Sequence, residues 1–363
     1  MRHFLVLTLA ACVLASAAPA YELVQTQVAL GFWSDWHDGT VSDLEYAQMR
    51  RLIEAMDTLG VTRLVHTGDI CTRVENGASD WEAWVNDIAQ IHTIALDWVP
   101  GNHDARYYAS EAETAYAAGE TEPYDLFMDL YPRQFWRGRP WYVQDHGLIR
   151  LLVCVSNDDT VCANDHGAYR NCNPPGLRHP EPPTGNPSYG GLLDSDSEQR
   201  RWLFDQVTER QRHGWTFLAM HRTPFSGFPL TENNCGRACF RGLSYGLMDS
   251  LSLYGVDAVL GGDSHVISAT QRISKPTMAG SIVRDSSGVT YLNTSSGFVP
   301  RWAYKDALGD TTLMRFIPPD EYQQDPAVWV FRSWGRVGNW KLLACADGDS
   351  EEVVTLYEFD TAR

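Results

Sequence analysis

Short apolar runs alternate with longer amphipathic stretches along most of the chain. Six runs have the length and composition of buried strands, and they cover residues 28–33, 63–66, 95–99, 149–155, 215–220 and 256–260. Three stretches repeat apolar residues at helical spacing, and they cover residues 42–59, 79–91 and 195–212. Ser42 and Ser195 are the expected N-caps of the first and third helices. Strands that alternate with helices predict a layered α/β fold.

The pattern changes after His265, where short strands follow one another with few helices, including residues 328–331 and 353–359. Since no repeat or linker divides the chain, we expect a single domain over residues 21–363 with a β-rich C-terminal part. Two proline-containing segments fit neither periodicity. They are typical of lids over a site or of surface loops, and they cover residues 157–194 and 223–243.

The first 20 residues have the features of a secretory signal. A short positive start precedes the apolar run 4–17, and Ala18-Pro19-Ala20 places small residues at −3 and −1 of a cleavage site. Lipid attachment at Cys12 is the alternative, because residues 9–12 resemble a lipoprotein cleavage box. We therefore expect a secreted or periplasmic protein, with no later stretch apolar enough to span a membrane.

In an exported protein, cysteines can form disulfides, because the compartment is oxidising. Seven follow Cys12, and since seven is odd, at least one thiol should stay free. Cys162 with Cys172 and Cys235 with Cys239 lie in loop-like sequence, where disulfides are plausible. A zinc knuckle is the alternative for the second pair, although no further closely spaced pair completes it.

The chain is acidic. Of its 363 residues, 29 are Lys or Arg and 46 are Asp or Glu, which gives a formal net charge of −17. This balance argues against long nucleic acid as a partner, because phosphate backbones bind clustered basic side chains. It is compatible with a small phosphate ester, since a bound metal ion reverses the field inside one cleft.

Polar side chains follow five of the predicted strands at the point where each strand ends. They are Asp35 and His37, Asp69, Asn102 to Asp104, His221, and Asp263 with His265. In an open α/β sheet, ligands bind at the carboxyl ends of the strands. Asp35 and His37 are two residues apart, so in extended chain both side chains project to one side, and Asp263 and His265 repeat that spacing.

Imidazole, carboxylate and amide oxygen together suit Mn, Fe or Zn rather than a thiolate zinc site. Each Asp-x-His or Gly-Asp alone is more often a turn or a structural hydrogen bond. The ligand-type residues number seven, too many for one ion, but the number fits two ions that share a bridging carboxylate. The sequence therefore predicts a dinuclear metal centre.

This order of motifs resembles the calcineurin-like metallophosphoesterase family, whose pattern is Asp-x-His, Gly-Asp, Gly-Asn-His-Asp/Glu, a lone His and Gly-His-x-His. The match spans residues 35–265. The resemblance implies a four-layer αββα sandwich of two mixed β-sheets flanked by helices, with two divalent metal ions at its edge. It assigns the first ion to Asp35, His37, Asp69 and His265, and the second to Asp69, Asn102 and His221.

Two positions depart from the family. Asp263 stands where the family has the first His of its last motif. Either a carboxylate replaces the imidazole at the second ion, adding a negative charge that weakens its Lewis acidity, or the second ion is lost and the chain is a non-catalytic relative. Thr72 stands where purple acid phosphatases have a Tyr.

The implied activity is hydrolysis of phosphate mono- or diesters. Two adjacent ions clamp a phosphoryl group and lower the pKa of bound water toward about 7, so a metal-bridging hydroxide attacks phosphorus. In the family the residue at His103 assists the leaving group, and Asp104 would orient it. Arg222 either holds a phosphate oxygen or forms a surface salt bridge.

A serine esterase is the alternative from another class. Residues 242–246 match the Gly-x-Ser-x-Gly elbow around Ser244, but that elbow must follow a strand and the preceding residues do not resemble one.

Overall fold

In a computed structural model of the chain, the residues described are 28–36, 43–70, 94–101, 104, 139–156, 192, 197–208, 214–225, 245–263, 265, 267–274, 282–294, 313–316, 326–345 and 352–362. The predicted signal segment, the helix predicted at 79–91 and most of both proline-containing segments lie outside these ranges.

The strands form two large mixed sheets. The first has the order β15-β14-β13-β1-β2-β3 and the second the order β12-β8-β11-β7-β6-β5-β4, while β9 and β10 form a separate ribbon. Their bounds are β1 Val28–Trp33, β2 Arg63–His66, β3 Ala95–Trp98, β4 Tyr142–His146, β5 Ile149–Val153, β6 Trp215–Ala219, β7 Ala258–Gly261, β8 Ser268–Thr270, β9 Ile273–Ser274, β10 Val283–Arg284, β11 Thr290–Asn293, β12 Met314–Phe316, β13 Ala327–Trp334, β14 Val337–Cys345 and β15 Val353–Ala362.

Both large sheets combine parallel and antiparallel strands; the parallel strands lie at one end of the first sheet and in the centre of the second. β1, β2 and β3 are parallel in the first sheet, and β5, β6, β7 and β11 are parallel in the second. The six predicted strands are all present, with ends that differ from the predictions by two residues or fewer. The carboxyl ends of β1, β2, β3, β6 and β7 carry the polar residues noted above.

Three hydrophobic cores separate four layers. Helix α1, Asp43–Thr58, packs on the outer face of the first sheet through Met49, Leu52 and Ile53. Helices α2, Glu198–Thr208, and α3, Tyr245–Leu253, cover the outer face of the second sheet. The expected αββα sandwich of two mixed sheets is confirmed.

The third core lies between the sheets and is rich in aromatic side chains. Phe331 of the first sheet packs against Phe217 of the second with ring centroids 4.8 Å apart at 84°, and against Trp215 at 5.1 Å. Edge-to-face pairs of this kind contribute about 0.5–1.5 kcal/mol each beyond burial. This core fixes the two sheets, and hence their strand ends, relative to one another.

Helix α2 begins later than the sequence predicted. Ser197 is its N-cap, because its Oγ accepts a hydrogen bond from the backbone N of Arg200 at 3.0 Å. The prediction of Ser195 as the cap is therefore wrong. The predicted cap Ser42 of the first helix lies outside the described residues, and α3 was not predicted.

Cys154 and Cys345 are buried, and the thiol of Cys345 donates to the carbonyl of Gln48 at 3.6 Å. The cysteines of the two predicted disulfides fall outside the part of the chain described, so those pairings stay predictions. Within that part, no helix has the length and apolar character needed to cross a membrane.

Candidate metal centre

The loops that follow the parallel strands of both sheets meet at one edge of the sandwich. The backbone N of Asp35, after β1, donates to the carbonyl of Gly68, after β2, at 3.0 Å. In the second sheet, the N of Gly262 donates to the carbonyl of His221 at 2.9 Å. The N of Asp263 donates to Asp35 Oδ1 at 3.0 Å and so joins the two sheets.

Asp35, Asp69 and His265 form a compact group of potential metal ligands. One ligand atom from each lies within 4.8 Å of the other two, and theirs is the one such group of three found among the described residues. His265 Nε2 is 3.4 Å from Asp35 Oδ1. The residues predicted to hold the first ion are thus brought together, except His37, which the structure does not describe.

His221 also contacts Asp69. Its Nε2 is 3.0 Å from Asp69 Oδ2, and its Nδ1 is 2.8 Å from the carbonyl of Thr67. A carbonyl can only accept, so Nδ1 carries the proton and Nε2 faces the carboxylate; such an outer partner commonly orients a metal-binding histidine. Asp69 therefore contacts residues predicted to hold each of the two ions. Asn102 lies outside the described residues.

Asp263 contacts a cation as well as this histidine. Its Oδ1 is 3.1 Å from Arg222 Nε and 3.7 Å from His221 Nε2. The side chains of Arg222 and Asp263 are 12% and 8% exposed, so Arg222 is in a buried ion pair at the centre rather than in a surface salt bridge. The predicted role of Asp263 as a metal ligand stays a prediction.

Four of the predicted ligands have left-handed backbone conformations. Among the residues described, the non-glycine positions with positive φ are Asp35 at 59°, Asp69 at 55°, Asp263 at 57° and His265 at 52°. The premise that Asp263 and His265 project together from extended chain is therefore wrong, because both have positive φ and face different partners. Asp and His tolerate this conformation better than most residues, and such strain clusters at functional sites.

Glycines allow the loops to approach this closely. A Cβ on Gly101 would collide with the backbone N and carboxylate of Asp69, and one on Gly68 would lie 2.6 Å from His221 Nδ1. A Cβ on Gly262 would lie 2.5 Å from Asp35 Oδ2. These glycines are needed for contact between the loops as well as for turning the chain.

Asp104 holds the turn that carries Asp69. Its buried carboxylate accepts hydrogen bonds from three backbone N–H groups: Asp69 at 2.9 Å, Ile70 at 3.1 Å and Gly101 at 2.7 Å. This role was missed in the sequence, as were the carbonyl of Thr67 and the hydroxyl of Ser34, which donates to that carbonyl at 3.2 Å. The predicted effect of Asp104 on His103 concerns a residue outside the described ranges and stays a prediction.

The electrostatics of these side chains favour bound positive charge. Burial raises the pKa of Asp35 to about 8, opposed by His221 and reinforced by Asp69 and Asp263. Burial alone would lower the pKa of His221, but the adjacent Asp69 carboxylate, with Asp35 and Asp263, raises it to about 10. The cluster therefore holds protons at neutral pH where cations would otherwise balance its carboxylates.

A sequence profile of calcineurin-like phosphoesterases matches residues 30–267, which is more than half of the chain. The chain belongs to the calcineurin-like phosphoesterase family. Members of this family generally bind two divalent metal ions, and the carboxylate and imidazole groups assembled here fit that requirement. No curated protein matches the chain in sequence.

Solved structures of this fold are similar across nearly the whole chain. A purple acid phosphatase from yellow lupin seeds has a TM-score of 0.58 at 14% identity, covering 93% of this chain and 54% of that one. PhoD has a TM-score of 0.57 at 11% identity, covering 92% and 69%. GAP50, the anchor in the inner membrane complex of Plasmodium, has a TM-score of 0.50 at 9% identity, covering 91% and 88%. The chain thus spans about half the length of the lupin enzyme, and these similarities concern the fold.

Proposed function

We propose that this family member is a dinuclear metal-dependent phosphoesterase that hydrolyses small phosphate mono- or diesters. The observation that carries the proposal is the position of Asp69. Its carboxylate belongs to the group with Asp35 and His265 and also contacts His221 Nε2 at 3.0 Å. One carboxylate shared by two sets of ligands is the arrangement that holds two ions side by side.

Two ion positions follow from this arrangement. The first would be held by Asp35, His37, Asp69 and His265, and the second by Asp69, Asn102, His221 and Asp263. Bound there, divalent Mn, Fe or Zn ions supply Lewis acidity toward phosphoryl oxygens and a nucleophilic water near neutral pH.

The chain's own side chains bind and orient the substrate. Arg222 brings a permanent positive charge beside His221, where it can donate to a phosphate oxygen. His103 lies between the anchored Gly101 and Asp104 in sequence, and we assign it the proton transfer to the leaving oxygen. General acid assistance of this kind is typically worth about 10²–10⁴-fold in rate.

The class of substrate and the location of the protein are part of the same proposal. A net charge of −17 disfavours long nucleic acids, so a small ester is the better candidate. The N-terminal segment supports a secreted or periplasmic protein. We assign residues 21–363 to one domain, because no repeat or linker divides them. The lupin neighbour is a phosphatase.

The test is hydrolysis of an aryl phosphate monoester and the matching diester, with Mn, Fe, Zn or Ca added in turn. We expect turnover that a chelator abolishes, and loss of turnover in Asp69→Asn. Asp97→Asn is the matched control, because Asp97 forms a buried pair with His146 at 2.9 Å within the sandwich rather than at the centre. That variant should lose stability while keeping bound metal and activity.

Other results would favour the alternatives. Activity that survives chelation and disappears in Ser244→Ala would show a serine esterase. Bound metal without turnover of any phosphate ester would show a non-catalytic metal-binding member of the family.

A further inference from the structure

Arg222 and Asp263 form a buried ion pair at the point where the chain departs from its family. Arg222 directly follows the candidate ligand His221, and Asp263 replaces the family's histidine. Nε of Arg222 donates to Asp263 Oδ1 at 3.1 Å, and the two side chains are 12% and 8% exposed.

The backbone fixes both partners. The N of Arg222 donates to Ser156 Oγ at 2.7 Å, which ties it to the residues following β5. The N of Asp263 donates to Asp35 Oδ1 at 3.0 Å, which ties it to the loop after β1. The pair is therefore held by loops from both sheets, and little conformational freedom is lost when a ligand binds.

The charges of the pair explain how the substitution is tolerated. Asp263 adds a negative charge to a cluster that already contains Asp35 and Asp69. A guanidinium stays protonated at all accessible pH values, so Arg222 and Asp263 together carry the formal charge of one neutral imidazole. The pair restores the charge that the family's histidine would give.

We propose that Asp263 and Arg222 act as one unit, in which Asp263 is a positioning residue that aims the Arg222 guanidinium at a non-bridging oxygen of the substrate phosphate. This inference rests on the proposed function. A guanidinium has five N–H donors in a fixed plane, so fixing Nε on a carboxylate sets the direction of the four donors on Nη1 and Nη2. Such planar donors suit a phosphate group.

The test is a double-mutant cycle of Arg222→Gln, Asp263→Asn and the double variant, in the Mn-loaded protein. Inorganic phosphate is the probe, its affinity is measured by titration calorimetry, and bound Mn is counted by elemental analysis. We expect each single variant to weaken phosphate binding about tenfold or more, as for loss of a charge-assisted hydrogen bond. The double variant should bind no more weakly than Arg222→Gln alone.

Two further variants are controls. Asp257→Asn breaks a similar Asp–Arg pair, Arg272 Nη2 to Asp257 Oδ1 at 3.2 Å, at the opposite end of β7, and should leave phosphate affinity unchanged. Arg222→Lys keeps the charge but loses the planar donors, so it should bind phosphate with intermediate affinity. If Arg222→Gln does not fold, Arg222→Lys takes its place in the double-mutant cycle.

Unchanged phosphate affinity in Arg222→Gln, or strictly additive effects, would overturn the inference. The inference would also be overturned if Asp263→Asn lost one Mn ion per chain while Arg222→Gln kept its phosphate affinity, because Asp263 would then be only a metal ligand. If wild type turns over no phosphate ester yet binds phosphate through this pair, the proposed function is wrong and the pairing stands.

Discussion

Loading the metal-free protein with divalent ions should release protons. At pH 7, His221 with a pKa of about 10 is fully protonated, and Asp35 with a pKa of about 8 is about nine-tenths protonated. Ligation needs a neutral imidazole and an ionised carboxylate, so loading should release about two protons per chain at pH 7. At pH 9 Asp35 is already ionised, and about one proton should be released. Overall metal affinity should then rise about 100-fold per pH unit near pH 7 and about tenfold near pH 9.

The protons can be counted by titrating Mn into chelator-treated protein in buffers of different ionisation enthalpy, at both pH values. The internal control is His221→Asn, which should release about one proton at pH 7, from Asp35. Proton release near zero at pH 7, or metal affinity that is flat between pH 6.5 and 8, would refute the reasoning, because the centre would then not exchange protons for metal.

Three further predictions concern stability, loop contact and the substituted position. The folded pKa values of Asp35 and His221 lie above their unfolded values of 3.8 and 6.5, so their protonation stabilises the fold. Between pH 6.5 and 8 the folded state holds about 1.6 protons more than the unfolded state, so chemical denaturation of metal-free protein should show stability falling by about 2 kcal/mol per pH unit, while a rise would contradict it. Gly101→Ala should lower Mn affinity measured by calorimetry, because its Cβ displaces Asp69, whereas Gly60→Ala, with no atom within 4 Å of its Cβ, should cost stability only. Asp263→His should keep or raise kcat but raise KM in steady-state assays, and complete loss of activity would show that the position has been misread.

The strands were predictable from sequence because the central parallel strands are buried on both faces. Such strands appear as short continuous apolar runs ended by polar loops, and β1 and β2 begin and end as predicted. The position of the ligands followed from the same fact, since each comes directly after such a run. The edge strand β4, with its partly exposed pattern, and the short helix α3 gave no comparable signal.

The pairing of Arg222 with Asp263 could not be predicted from sequence. The two residues are 41 positions apart and meet only because β6 and β7 are adjacent and parallel. In the sequence, Arg222 after His221 and Asp263 in place of a histidine are two unrelated features. Their connection becomes visible only when the strand order is known. The same holds for the Asp104 carboxylate, whose three backbone donors come from two different loops.

The positive φ of four candidate ligands helps to explain their positions. Each of the four non-glycine residues with positive φ costs about 1–3 kcal/mol, so together they cost several kcal/mol, a large part of the 5–15 kcal/mol that stabilises a typical domain. Strain of this size persists only where the surrounding structure fixes the backbone, and here the three cores and the hydrogen bonds of Asp104 and Asp35 do so. This backbone conformation accompanies the convergence of the carboxylates and the imidazole of His265 at one place. Part of the folding free energy of the two sheets therefore offsets the repulsion between the clustered carboxylates. Bound cations would remove that repulsion and so stabilise the fold.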